Sequence, residues 1–287
     1  MEVVGKSEMW SFFEDDVGCR ITDNTLVRSK NGHFVRSFLE LATKVAELQF
    51  RNREQVLMFR GQHADHKNVK HHTSLKPSLF RPDSSGRNPK GATLEARFNK
   101  LAQAERQLQL HYKGKDFLGV ERLKRQRVLR WAILQHYEVC PTPLLDVTHS
   151  LRIAASFASH SAAQEVYLFV LGVPNLSGAI TASAEAGLQI VRLSSVCPPV
   201  AVRPHIQEGY LLGEYPEMSD FGQKELYQHY EIDFGRRLVA KFRFRPKQFW
   251  KNDDFPKVAE PALYPPERKD KLFRLASQVK QAIGPSV

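Results

Sequence analysis

Three polar residues, Asp146, Thr148 and Ser150, fall where the apolar pair Leu144-Leu145 gives way to Ala154-Ala155-Ser156-Phe157-Ala158. The pattern reads as a buried strand ending in a helix whose close-packed inner face carries the alanines and Phe157. Thr148 or Ser150 can cap that helix, and Asp146 then sits at the strand end beside free backbone N–H groups. Such a terminus favours an anion, so a phosphate-bearing ligand suits it. Upstream, Glu54-Gln55-Val56-Leu57-Met58-Phe59-Arg60-Gly61-Gln62 is a second short apolar run, ending in arginine and glycine. A half-buried guanidinium needs a partner. The planar fork of Arg60 fits either a phosphate or a carboxylate such as Asp146. The residue types leave both readings open, and they leave Gly61 open as a turn residue.

Helical spacing over residues 32–51 leads into a strand at 56–59. Further helices are expected at 93–112, 121–136 and 150–161, and a last one at 269–283 behind Pro261, Pro265 and Pro266. The clearest later strand is 166–171, bounded by Gly172 and Pro174, with others at 188–193 and 238–244. Helices early and strands late make an α+β pattern. The organisation expected is a helical N-terminal extension over 1–54, a core over 55–250, and a linker with a C-terminal helix over 251–287.

The chain has 287 residues and a formal net charge of +11, with 42 Lys and Arg against 31 Asp and Glu. This balance points to an acidic partner, nucleic acid first. Two basic runs are candidates for it: Arg122, Lys124, Arg125, Arg127 and Arg130 on the 121–136 helix, and Lys241, Arg243 and Arg245 alternating with phenylalanines. The second reads equally as an amphipathic edge strand with solvated cations. Cys19, Cys140 and Cys197 lack metal-ligand spacing, and their odd number points to a reducing compartment, so a cytoplasmic protein is expected. No apolar segment approaches a membrane span of about 20 residues. His63, His66, His71 and His72 crowd together, with Asp65 the one close acid, and read as a mobile basic loop at a pocket mouth rather than a metal site.

Phe59-Arg60-Gly61-Gln62, Leu75-Lys76-Pro77-Ser78-Leu79-Phe80-Arg81, Gln135-His136-Tyr137, Pro141-Thr142 with Leu144-Leu145-Asp146, and Arg203-Pro204-His205-Ile206-Gln207-Glu208-Gly209-Tyr210 resemble the ordered motifs of the FRG domain. Pro143, Val147 and Glu208 depart from that pattern, standing where arginine, tryptophan and a second glutamine are common. A weaker resemblance, to ADP-ribosyltransferases of the arginine-serine-glutamate type, rests on Phe59-Arg60-Gly61, Thr148-His149-Ser150 with Ala155-Ser156-Phe157-Ala158, and Glu208. It implies a split β-sheet core and an NAD-dependent transferase, a glycosyltransferase in which preorganised charge stabilises an oxocarbenium-like ribose.

Under that resemblance Glu208 binds the ribose and its developing charge, and Arg60 holds a phosphate of NAD. Gly61, Gln62, Asp146, Thr148, Ser150 and Gln207 complete the cofactor site. His136, with an ordinary pKa of about 6.5, is the candidate for proton transfer. Arg60, Asp146, Thr148, Ser150 and Glu208 are expected to line one cleft. The acceptor expected is DNA or RNA, with protein second, in the setting of a toxin or phage-defence effector. The alternatives are a non-catalytic nucleic-acid-binding module and, behind it, a metal-dependent nuclease.

Overall fold

The computed structural model describes residues 1–4, 8–14, 16–83, 86–161, 163–175, 177–226, 232–251 and 255–284. Its strands are β1 (Met9–Ser11), β2 (Arg20–Thr22), β3 (His33–Phe34), β4 (Val56–Gln62), β5 (Leu145–Thr148), β6 (Val166–Val173), β7 (Ile180–Ser183), β8 (Leu188–Arg192), β9 (Gly209–Glu214) and β10 (Leu238–Phe244). Strands β1 and β2 form a small antiparallel pair, and the other eight make one sheet in the order β3-β10-β6-β4-β5-β9-β8-β7. Among the described residues only the β3–β10 pair is parallel. The fold is α+β.

The sheet is continuous in name more than in bonding at its centre. β4 pairs with β6 from Val56 to Gln62, and β5 pairs with β9 from Leu145 to Thr148. Between β4 and β5 a single register pair, Phe59 with Thr148, joins the two halves. Each half is therefore a well-bonded unit, and the line between them carries the shortest register of the central strands.

The helix Leu151–Ala158 follows β5 directly and lies on β4. Gly61 makes that approach possible, since a Cβ placed on it would stand 1.9 Å from the Ala154 carbonyl oxygen and 2.8 Å from the Ala158 nitrogen. Arg-Gly at the end of β4 thus combines a cation for the site with a bare backbone for helix packing.

The helix expected at 93–112 runs from Gly91 to Tyr112. The one expected at 121–136 is two helices, Val120–Arg125 and Arg127–His136, meeting at an extended Gln126. Breaking the helix there lets Leu123 enter the core on one side and Arg130 reach Glu105 on the other. Residues 1–54 are not purely helical. They supply β1 to β3 and the helices Asn24–Ser29 and Phe38–Arg51, and β3 joins the main sheet. The final helix, Lys271–Ile283, packs on Gly91–Tyr112. Its cap, the fully buried Asp270, accepts from the backbone N–H groups of Leu272 and Phe273, from the Tyr137 hydroxyl and from the Arg203 backbone N–H. One hydrophobic cluster, from Val4 to Ile283, runs through all these parts.

β10 is not an edge strand. It lies between β3 and β6, which buries five of its first five residues, Lys241 included. No helix of the described residues is long and apolar enough to cross a membrane.

Candidate functional site

The division between β4 and β5 opens into a cavity of about 930 Å³. Arg60, from the end of β4, and Asp146, from the middle of β5, face into it. Arg60 Nη1 donates to the backbone carbonyl of Asp146 at 2.6 Å. Its Nε is buried without a hydrogen-bond partner. Burial pushes the guanidinium down to about 10, with the Asp146 charge opposing the shift.

The Asp146 carboxylate is placed by a different neighbour. Gln135 Nε2 donates to Asp146 Oδ2 at 2.6 Å. The amide of Gln135 is itself oriented, because its Oε1 accepts from the Thr142 hydroxyl at 2.5 Å and from the Ser78 hydroxyl at 3.3 Å. Ser78 Oγ in turn accepts from the Thr142 backbone N–H at 3.0 Å. Residues of three separated sequence motifs thus meet in one network that ends on one carboxylate. The Asp146 side chain keeps 40 % of its surface open to the cavity. Desolvation raises its pKa, against the pull of Arg60 and of the Gln135 hydrogen bond.

His136 lies beside it, 3 % exposed, with Nδ1 3.9 Å from Asp146 Oδ1. That separation is too long for a direct hydrogen bond. Burial, and then the Arg203 charge, hold the imidazole well below its usual pKa, so it is neutral at pH 7. Its Nε2 is buried without a partner. Arg203 bonds Glu138 at 2.9 Å and stacks over the Tyr264 ring at 4.7 Å from the centroid. Tyr264 also meets the edge of Phe157 at 5.7 Å, giving the cavity an aromatic wall.

Gly61, Gln62, Thr148 and Gln207 line the cavity with Arg60, His136 and Asp146. Two of them are already committed. The Thr148 hydroxyl lies 2.9 Å from the Gln207 carbonyl and accepts from the Ser150 N–H, which holds the turn into the next helix. Gln207 donates through Nε2 to the Leu263 carbonyl at 2.7 Å. Ser150 and Glu208 stand outside the cavity lining. Glu208 is an exposed turn residue with φ of 45°, and the turn carries its side chain away while Gly209 pairs with Thr148. Gly209 keeps the floor open, since a Cβ there would meet Leu193 at 2.8 Å.

Half of the eight cations in the two basic runs are spent within the fold. Lys241 is 1 % exposed and bonds Asp65, Thr73 and the Lys30 carbonyl. Arg243 is tied to Glu165 and Glu14. Arg130, 7 % exposed, bonds Glu105 and the Leu123 carbonyl, and Arg127 shares Glu105 at 3.3 Å. Arg122, Lys124, Arg125 and Arg245 remain exposed. Among the described residues no group of three or more His, Cys, Asp or Glu is arranged to hold a metal ion.

Sequence reasoning left out Gln135 and Arg203 as site residues although both sit in quoted motifs; Gln135 adjoins His136 and was the nearer signal. Tyr264 has no local sign in the sequence, because it arrives from a segment beyond β10.

Residues from separated motifs thus converge on one arginine and one carboxylate at a single cavity. Residues 55–166 match the family model of the FRG domain, and the chain contains an FRG domain over that span. No curated protein and no solved structure gave a match to this chain.

Proposed function

We propose that the cavity is a nucleotide site at which this FRG domain transfers ADP-ribose from NAD to a nucleic-acid acceptor, with Asp146 as the carboxylate facing the sugar. The observation that carries this reading is a guanidinium and a carboxylate that line one cavity without a direct ion pair between them. Arg60 spends one nitrogen on a backbone carbonyl and keeps its Nε unpartnered, which suits a phosphate oxygen. Tyr264 and Phe157 offer rings to a base. NAD would be held by these groups; the chemistry it supplies is a ribose whose bond to nicotinamide can break.

When bound, NAD would supply a C1′–N bond that breaks with its electrons on the nicotinamide nitrogen, and a nucleophilic nitrogen or oxygen of the acceptor would take that place at C1′. Asp146 would face the positive charge developing on the sugar and take the acceptor's proton. Its raised pKa equips it for that second role. Gln135 keeps the carboxylate aimed, and the two half-sheets on either side supply a frame resembling a split sheet.

The test is nicotinamide release from labelled NAD in the presence of single-stranded DNA, duplex DNA, RNA or lysate protein. Asp146→Asn should lose at least about a hundredfold in turnover, the scale of one positioned acid–base group, while still binding NAD. Wild-type protein that binds NAD without releasing nicotinamide would leave a second reading, a non-catalytic nucleotide-binding module. The exposed position of Glu208, outside the cavity, favours that second reading.

A further inference from the structure

We infer that the rim of this cavity, and not either basic run of the sequence, is the docking surface for single-stranded nucleic acid. The inference rests on the nucleotide reading of the cavity in naming the acceptor, and it adds where the acceptor is held.

Residues 63–90 carry six Lys and Arg against two Asp. Of those acids, Asp65 is consumed by Lys241, with Nζ to Oδ2 at 2.9 Å. Residues 66–74 fold back on themselves at the mouth. Asn68 Oδ1 accepts from the N–H groups of Lys70 and His72 at 2.9 and 3.1 Å, Asn68 N donates to the His72 carbonyl, and Lys67 bridges to Thr73. His71 takes a φ of 57° to close the turn. The loop expected to be mobile is thus a pinned turn, anchored to β10 by Lys241 and to the helix Asn24–Ser29 through the Thr73 N–H and the Arg28 carbonyl at 2.9 Å.

This turn presents Lys67 and Lys70 to solvent with Val69, 91 % exposed, between them. Lys67 and Val69 line the cavity, as does the exposed Arg81 across the mouth. Cations flanking an apolar surface at the opening of an aromatic-walled cavity suit a flexible polyanion whose bases can leave the stack. A base within a duplex could not reach Asp146, so the strand must be single or locally opened. The exposed cations of Val120–Arg125 stand at the far end of the helix Arg127–His136, a span of about 15 Å from His136.

The experiment is fluorescence anisotropy with labelled oligothymidine and oligouridine, without NAD, on the full chain. Lys67→Glu/Lys70→Glu should weaken both at least about tenfold. Lys67→Gln/Lys70→Gln should lower the slope of log affinity against log salt by about 1.4, the release expected for two phosphates of a single strand. Lys124→Glu/Arg125→Glu should cost less than about threefold. Thermal unfolding checks each variant, and the glutamine pair decides if the glutamate pair fails to fold. Unchanged affinity in the rim variants, or an equal loss from the helix variant, overturns the inference. Competition by polyglutamate as strong as by oligonucleotide also overturns it, and assigns the rim to acidic peptide. Because affinity is read without NAD, wild-type protein that fails to release nicotinamide removes the transferase reading alone.

Discussion

Arg60 reaches Asp146 through its backbone carbonyl, at 2.6 Å, and not through its carboxylate. The two charges share a cavity without a direct ion pair. An ion pair kept only for the fold would close in bidentate fashion; this one leaves the guanidinium Nε and the carboxylate Oδ1 uncommitted to each other.

Arg60→Met should therefore separate fold from function. Removing a buried cation that has no carboxylate within ion-pair distance spares its desolvation cost, and the loss is confined to about one hydrogen bond. Unfolding free energy should stay within about 2 kcal/mol of wild type by urea titration, while NAD affinity measured by calorimetry falls at least about tenfold. A collapse of stability with binding intact would make Arg60 a structural residue.

Gly61→Ala should do the opposite. The added Cβ would stand 1.9 Å from the Ala154 carbonyl oxygen, a backbone atom that cannot step aside unless the helix Leu151–Ala158 moves off β4. A loss of about 3 kcal/mol or more is expected, at the upper end of overpacking costs. An unperturbed melting temperature would refute the close approach of helix and strand.

Acidification should weaken the protein through His136. Its folded pKa lies well below the ordinary value, because burial disfavours the imidazolium. The unfolded chain then binds more protons, so the stabilising contribution is complete above about pH 6.5 and is lost as pH falls below it, at up to about 1.4 kcal/mol per pH unit. His33, His66 and His160 are shifted in the same direction. The variant His136→Asn should show a shallower decline between pH 7 and 5 in denaturant titrations than wild type. An identical slope would mean that His136 titrates normally.

Much of the site could be read along the chain, because its parts are local. The end of β4, the start of the helix after β5, and His136 beside the overlooked Gln135 all announce themselves through polar residues that interrupt apolar runs. What stayed hidden depends on tertiary closure. Glu208 shares its turn with Gly209, and only the register of β9 on β5 decides which of the two faces the cavity. β9 itself, Gly209–Glu214, lacks the β-branched residues that mark a strand, yet it is buried on both faces by its neighbours. Lys241 and Arg130 look like surface cations in sequence, and each is drawn inside by a single distant carboxylate, Asp65 or Glu105. Alternating charge and phenylalanine in β10 suggested an edge; the two-residue β3 covering it could not be seen from its composition.

The buried ammonium of Lys241 has an effect that reaches beyond its own contacts. By holding Asp65 and Thr73 at the two feet of the turn, it makes the spacing of Lys67 and Lys70 a property of the sheet and fixes it when the chain folds. A strand that settled on that rim as proposed would meet a turn backbone already ordered, so the conformational entropy of ordering it would not be subtracted from the affinity.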